Sequence, residues 1–249
     1  MPRRVVSGYD LERFGISEML RCGREVREAA SGAERMETAA TAIVRYFHGV
    51  FRAPGDGERQ CVLARFYKTH PYASLEPDLQ RFADRALGGR PTDREMRCLT
   101  LLGTAGEEDA WCDRRRSRGH RAIPLVSEEM IEQAPMIAQL LRQFGLDVRE
   151  VARPGAPAVH ATTGQSFNVF HVEQALGSPY IPAQDDFVVP YGVRSVVGFG
   201  GALRSGELFA VILFSRAPIS AGVAERFRNI ALDVKYALFN LGNEAVFAE

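Results

Sequence analysis

The sequence has no excess of charge of either sign, few cysteines and no long apolar run. Lysine and arginine together number 31, and so do aspartate and glutamate, which makes the formal net charge zero at pH 7. A neutral chain does not attract polyanions over its whole surface, so we expect neither nucleic acid nor a membrane as a partner. No stretch approaches the roughly 18 uninterrupted apolar residues of a membrane-spanning helix.

We also expect no secretion signal, because the N-terminal segment MPRRVVSGYDLERFG has no apolar core. The cysteines form no CxxC pair, and their spacings of 39, 37 and 14 match no zinc-binding pattern. We therefore expect free thiols, a cytoplasmic location and no metal site, and the sequence identifies no cofactor. The four cysteines are Cys22, Cys61, Cys98 and Cys112.

The composition that is present is typical of a globular protein. Of 249 residues, 46% are hydrophobic and 25% charged, which excludes disordered and fibrous classes. Periodicity predicts helices near both ends and strands between them, hence an α/β (α+β) layered fold with a central antiparallel sheet and the terminal helices on one face. The predicted elements are helices over 16–51 (broken at Ser31-Gly32), 77–87 and 127–144 (kinked at Pro135), strands over 61–67, 97–104, 121–125, 146–151, 166–172, 194–199 and 207–215, a flexible connection over 152–165, and a final helix capped by Ser220.

The C-terminal segment resembles the end of a GAF domain. The segment begins with a predicted strand, Tyr191-Gly-Val-Arg-Ser-Val-Val-Gly-Phe, and a turn at Ser205-Gly206. A second predicted strand follows, Glu-Leu-Phe-Ala-Val-Ile-Leu-Phe-Ser-Arg, and Pro218-Ile-Ser then begins the last helix. The resemblance is close over about 60 residues, and the order of earlier elements is compatible with it. Ala210 stands where many relatives have glycine.

The resemblance implies a single enlarged GAF-like domain, PAS-like in architecture, over residues 1–249, with a core at about 12–241 and flexible ends. It implies a non-catalytic regulatory module of the kind found in bacterial signalling proteins, and we expect no output domain. Such a sensor would bind a small molecule or a signalling protein and transmit its state through the terminal helices. Because these helices often pair between subunits in the family, a homodimer is expected.

The segment over residues 167–191 corresponds to the chain that covers the pocket in GAF-like folds. Aromatic rings provide rigid walls and prolines hold a loop in shape, which suits a small planar or apolar ligand. Alternatively, the rings only close the core beneath a long loop. The candidate ligand-binding residues here are Phe170, His171, Tyr180, Phe187 and Tyr191.

Although the net charge of the chain is zero, arginines are clustered over residues 114–121. Guanidinium groups pair with phosphate or carboxylate oxygens, so Arg116 and His120 are candidate ligand-binding residues. Ion pairs with nearby acids could instead neutralise the cluster, and charge runs are usually solvated faces. The arginines are Arg114, Arg115, Arg116, Arg118 and Arg121, and the acids that precede or adjoin them are Glu107, Glu108, Asp109 and Asp113.

Other residues are assigned structural roles. We expect His70 to be a hydrogen-bonded turn residue, with a site at the sheet edge as the alternative, and His48 to lie on a helix surface. The glycines of Gly198-Phe-Gly-Gly201 precede a turn and a strand rather than a helix, so they favour close backbone approach over phosphate binding.

No catalytic residue is predicted, since no G-x-S-x-G motif occurs and the paired carboxylates are adjacent in sequence. Two alternatives to a sensor remain open. One is a thiol-redox enzyme on a GAF-like fold that uses Cys61, Cys98 or Cys112. The other is a module that binds an anionic partner through the Arg114–Arg121 patch.

Overall fold

One antiparallel sheet organises the chain. The computed structural model describes residues 8–153, 167–241 and 246–248. Across these residues six strands pair in the order β3-β2-β1-β6-β5-β4. The strands are β1 (Cys61–Pro71), β2 (Arg97–Gly106), β3 (Ala122–Pro124), β4 (Phe167–Val172), β5 (Ser195–Ala202) and β6 (Leu208–Ser215); the helices are α1 (Ile16–Ala30), α2 (Met36–Val50), α3 (Pro77–Leu87), α4 (Glu128–Glu132), α5 (Pro135–Gln143), α6 (Val148–Val151) and α7 (Ala221–Ala237).

Three long helices cover one face of this sheet. α2 packs on β1 and β2, α7 packs on β4 and β5, and α1 lies against both helices. Buried phenylalanines fill the interface, with ring centroids of neighbouring pairs 5.2–6.2 Å apart. They are Phe14, Phe47, Phe51, Phe199 and Phe227. The predicted α+β architecture, a central antiparallel sheet with the terminal helices on one face, is confirmed.

The opposite face is covered by shorter pieces. α5 packs on β4 and contacts α4 and α6, and the segment that links β4 to β5 adds buried residues such as Ile181 and Val188 to the same apolar cluster. The predicted connection over 152–165 lies almost wholly outside the described residues. Within the described residues, no helix combines the length and the apolar character needed to cross a membrane.

Two predictions on this face need correction. The helix predicted over 127–144, with a kink at Pro135, is divided there into α4 and α5, because proline disfavours helical backbone in the preceding residue, and Ala134 has φ −116° and ψ 78°. The strand over 146–151 is instead the short helix α6. Its N-cap Asp147 accepts a hydrogen bond from Arg149 N–H at 2.9 Å, which favours a helical turn.

The glycines of β5 allow the close backbone approach that was predicted. A Cβ atom at Gly200 would lie 2.0 Å from the carbonyl oxygen of Phe209, on the neighbouring strand. Only glycine fits there. The strand β6 that follows the turn makes a phosphate loop at this position impossible, since such a loop requires a helix.

Candidate functional site

Four of the candidate aromatic residues belong to, or pack against, one apolar core on the sheet face opposite the long helices. Phe170 of β4 is fully buried, and its ring packs edge-on against Tyr180 with centroids 6.5 Å apart. Phe187 packs edge-on against Phe214 of β6, with centroids 5.0 Å apart. The segment over 167–191 therefore contacts the sheet through its rings.

Phe187 and Tyr191 also contact Trp111, a residue that the sequence analysis missed. The ring centroids lie 5.5 Å and 4.6 Å from that of Trp111. The Tyr191 hydroxyl donates a hydrogen bond to Glu108 Oε1 at 2.9 Å. This aromatic group joins the charged loop after β2 to the segment before β5. A lone tryptophan beside an acidic run was the available signal for it.

His171 is separated from these rings, because successive residues of β4 face opposite sides of the sheet. Its ring Nε2 lies 2.7 Å from the carbonyl oxygen of Ile219, a hydrogen-bonding distance, and its backbone N–H donates to Gln143 Oε1 at 3.0 Å. His171 thus connects β4 to the residues that precede α7.

The arginine cluster is divided between the interior and the surface. Arg114 is only 4% exposed. Its Nε lies 2.6 Å from Glu37 Oε1 of α2, and its Nη2 donates to Glu37 Oε2 at 2.8 Å and to Glu76 Oε2 at 2.5 Å. Arg121 pairs with Asp78. The cluster is therefore partly neutralised, but by acids distant in sequence rather than by those directly before it.

Arg116 and His120, the two candidates of this cluster, are both exposed. Arg116 ends a short 3-10 turn whose N-cap, Asp113, accepts a hydrogen bond from Arg115 N–H. His120 has φ 57°, the one positive φ among the described non-glycine residues. Both residues thus lie apart from the buried network of Arg114.

Two buried polar residues of β1 lie beside that network. Lys68 is 1% exposed and His70 is 2% exposed. The prediction that His70 is a turn residue was wrong, because β1 extends to Pro71 and pairs His70 with Cys98 of β2. His48 is also buried rather than on a helix surface, so that prediction was wrong as well. For Lys68 and His70, the signal that was missed is that polar side chains continue an apolar strand.

Hydrogen bonding within this pair is sparse. Lys68 Nζ donates to the carbonyl oxygen of Thr69 at 3.3 Å. Burial lowers the pKa of Lys68 to about 8, and Glu207 partly opposes this effect. Among the described residues neither ring nitrogen of His70 has a hydrogen-bond partner. Burial, together with the positive charges of Lys68 and Arg114, holds the pKa of His70 well below its usual value, so the ring is neutral.

Residues 246–248, the C-terminal segment, close over these groups. The carbonyl oxygen of Val246 accepts from Glu37 N–H at 2.8 Å, and Ala248 N–H donates to Glu37 Oε2 at 2.9 Å. The Phe247 ring lies between the Arg114 guanidinium, 5.2 Å from the ring centroid, and the His70 ring, 5.7 Å away between centroids. We call this place the Phe247 slot: His70 and Arg114 contact the ring, Glu37 holds the backbone of residues 246–248, and Lys68, two residues before His70 on β1, acts on His70 through its charge.

A surface cleft of about 260 Å³ lies near the C-terminal end of α7. It is formed by the end of α7, the β5–β6 turn and Met36, which precedes Glu37 on α2. None of its lining residues belongs to the segment over 167–191. The cleft and the Phe247 slot thus share the N-terminal end of α2 as a border.

The cysteines are free thiols in different surroundings. Cys22, Cys61 and Cys98 are buried and Cys112 is exposed. Burial raises the pKa of each of the three buried thiols to about 12. Cys61 begins β1, whereas Cys98 of β2 pairs with His70 near the other end of β1, so the two thiols are far apart. The part of the chain that the structure describes contains no group of three His, Cys, Asp or Glu residues that could hold a metal ion.

Comparison with known proteins gives similarity of fold only. No family model and no curated protein matches the chain. Among solved structures, it is similar to the phycoerythrobilin-bound GAF domain of a cyanobacterial phytochrome, with 12% identity, 89% of this chain and 94% of the other covered, and a TM-score of 0.43. The reduced form of fRMsr from Staphylococcus aureus has 9% identity, coverages of 88% and 94%, and a TM-score of 0.44.

A third similar structure is the N-acylhomoserine lactone dependent LuxR family transcription factor CepR2 from Burkholderia cenocepacia. It has 11% identity, coverages of 90% and 94%, and a TM-score of 0.41. At these identities, the ligands and activities of the similar proteins are not transferred to this chain.

Proposed function

We propose that this chain is a non-catalytic regulatory module with a GAF-like fold, which binds a small molecule and transmits its bound state through the terminal helices. The observation that carries the proposal is an apolar surface on the outside of the helix layer. Among the described residues, five of the seven exposed large apolar side chains lie on α1, on α7 or directly after α7. These residues, the helix surface, are Ile16, Leu20, Leu232, Tyr236 and Phe239.

The two terminal helices form one unit beneath this surface. α1 and α7 run in the same direction. Met19 of α1 contacts Asn229 of α7, and the later residue Arg27 pairs with the later residue Asp233. The two helices pack against each other, and the Asp233 carboxylate of α7 occupies the space beside Gly23 of α1. A displacement of α7 is therefore passed to α1.

A second copy of the chain is the proposed partner of the helix surface. Side chains such as Leu20 and Tyr236, each 66% exposed, are costly to leave in water, and a two-fold axis would bury the same surface on both copies. In a dimer, a downstream protein could bind according to the relative position of the terminal helices. The buried thiols of Cys61 and Cys98, with pKa values of about 12, do not favour the thiol-redox alternative.

The experiment is native mass spectrometry on the full chain and on the double variant L20E/Y236E. The wild type is expected to be a dimer at micromolar concentration and the variant a monomer, because each copy would bring two carboxylates into the interface. The control is Leu176→Glu, which adds a carboxylate at a residue 58% exposed outside the helix surface. A wild-type monomer, or a variant that remains dimeric, would contradict the proposed interface.

A further inference from the structure

The Phe247 ring occupies its slot as a ligand would. The buried Arg114 guanidinium lies over the ring, and the His70 ring also contacts it. The chain on either side is held through polar contacts with side chains. Arg35 Nη1 donates to the carbonyl oxygen of Phe247 at 3.3 Å, and Arg115 Nη2 donates to that of Ala248 at 3.0 Å. No described strand or helix includes residues 246–248.

Two buried groups of β1 at the slot, His70 and its neighbour Lys68, are suited to a carboxylate. Lys68 carries an ammonium group with three donors, of which one is directed to the carbonyl oxygen of Thr69. The neutral His70 ring can donate one hydrogen bond, and neither of its nitrogens has a partner among the described residues. A buried ammonium and an unpartnered imidazole are both costly, and an anion that accepts from both removes part of that cost.

We propose that the Phe247 slot binds a small aromatic carboxylate, whose ring replaces that of Phe247 and whose carboxylate accepts hydrogen bonds from Lys68 and His70. The inference rests on the proposed regulatory function and names its class of ligand. Binding displaces residues 246–248 and so removes their two hydrogen bonds to Glu37 at the start of α2. The chain thus has two states, one with residues 246–248 bound to α2 and one with them displaced. Because the ligand binds only the displaced state, it shifts the population towards that state and changes the link between the chain after α7 and α2.

Benzoate is the simplest probe, and isothermal titration calorimetry of the full chain is the measurement. Phe247→Ala removes the competing ring, so we expect it to bind benzoate about tenfold or more tightly than the wild type. The matched control is Phe82→Ala, which removes another half-buried ring that contacts an arginine, Arg85, at 5.5 Å. This control is expected to bind like the wild type. Equal affinities for F247A and the wild type would overturn the proposal.

The charge requirement is tested in the F247A background. Lys68→Met keeps the length of the side chain and removes the ammonium, and we expect it to weaken benzoate binding by about tenfold or more. Benzyl alcohol, which has the ring without the carboxylate, is expected to bind F247A about tenfold or more weakly than benzoate binds it. Retention of full benzoate affinity by K68M/F247A would overturn the proposal.

The same titration separates this inference from the proposed dimer. F247A combined with L20E/Y236E is expected to bind benzoate with the affinity of F247A alone, because the helix surface is not part of the slot. If benzoate fails to bind while the wild type is dimeric, the ligand class is wrong and the dimer stands. If benzoate binds a chain that is monomeric in every form, the slot stands and the dimer is wrong.

Discussion

At the residue scale, the most consequential feature is the ion pair between Arg114 and Glu37. Both side chains are buried, and the guanidinium also contacts Glu76. Removal of one member of a buried pair leaves an uncompensated charge, which typically costs about 3–5 kcal/mol. Pairs on the surface contribute about 1 kcal/mol or less. The two kinds of pair therefore respond very differently to the same substitution.

We predict that Arg114→Met lowers the free energy of unfolding by about 3 kcal/mol, measured by urea denaturation followed by circular dichroism. Arg115, which also lies near Glu37, keeps the loss near the lower end of the range. Arg142→Met is the control, because Arg142 pairs with Glu132 where both side chains are exposed, and it is expected to cost less than about 1 kcal/mol. Similar losses in both variants would refute the assignment.

Buried histidines predict a loss of stability in mild acid. The pKa of His48 is lowered to about 4 by burial and by Arg59 and Arg52, against the influence of Glu107. In the unfolded chain the His48 ring is protonated below about pH 6.5, whereas in the folded chain it is protonated only below about pH 4. The stabilising contribution is thus complete above pH 6.5 and is lost as the pH falls. His70 acts in the same direction.

Urea denaturation between pH 7 and pH 4.5 checks this sign. We expect His48→Leu to lose less stability than the wild type over that interval, with a difference of about 2 kcal/mol at pH 4.5. The variant removes the titrating ring and keeps an apolar side chain in the buried position. Parallel pH profiles for the two proteins would show that His48 does not contribute.

At the scale of elements, contact between α2 and β2 depends on one glycine. A Cβ atom at Gly103 of β2 would lie 2.7 Å from the backbone of Ala40 on α2. Backbone cannot yield as a flexible side chain can. The helix would have to move away from the sheet, and α2 is the element that carries Glu37 to Arg114.

We predict that Gly103→Ala destabilises the protein by about 1–3 kcal/mol through overpacking. Gly49→Ala on α2 is the control, since nothing lies within 4 Å of its Cβ position, and it is expected to be neutral or stabilising by about 0.5–1 kcal/mol. Thermal unfolding followed by circular dichroism compares the two variants. Destabilisation by G49A equal to that by G103A would mean that the close approach is not decisive.

Elements were predicted well where local signals agree. Pro77 and the glycine at position 88 bound α3 as predicted, and Ser220 caps α7 with its side chain accepting from Val223 N–H. Prediction was poor where a strand continues because its neighbours pair with it. Lys68 and His70 look like the end of a strand in sequence, yet β2 and β6 on either side keep β1 extended through Lys68.

At the scale of the whole molecule, the proposed dimer makes stability depend on protein concentration. A dimer that dissociates on unfolding has an unfolding midpoint that rises with concentration by mass action. We expect this rise for the wild type and for Leu176→Glu, and none for L20E/Y236E, over about a hundredfold range of concentration. Differential scanning calorimetry measures it. A midpoint independent of concentration in the wild type would be incompatible with the dimer.

The sequence by itself determined the layered α+β fold and the helix layer, because hydrophobic periodicity and capping residues act over a few neighbouring positions. It did not determine the Phe247 slot. Lys68, Arg114 and Phe247 come from three distant parts of the chain, and only strand pairing and the return of residues 246–248 bring them together. The neutral net charge likewise concealed a buried guanidinium, whose partners Glu37 and Glu76 are close only in the folded chain.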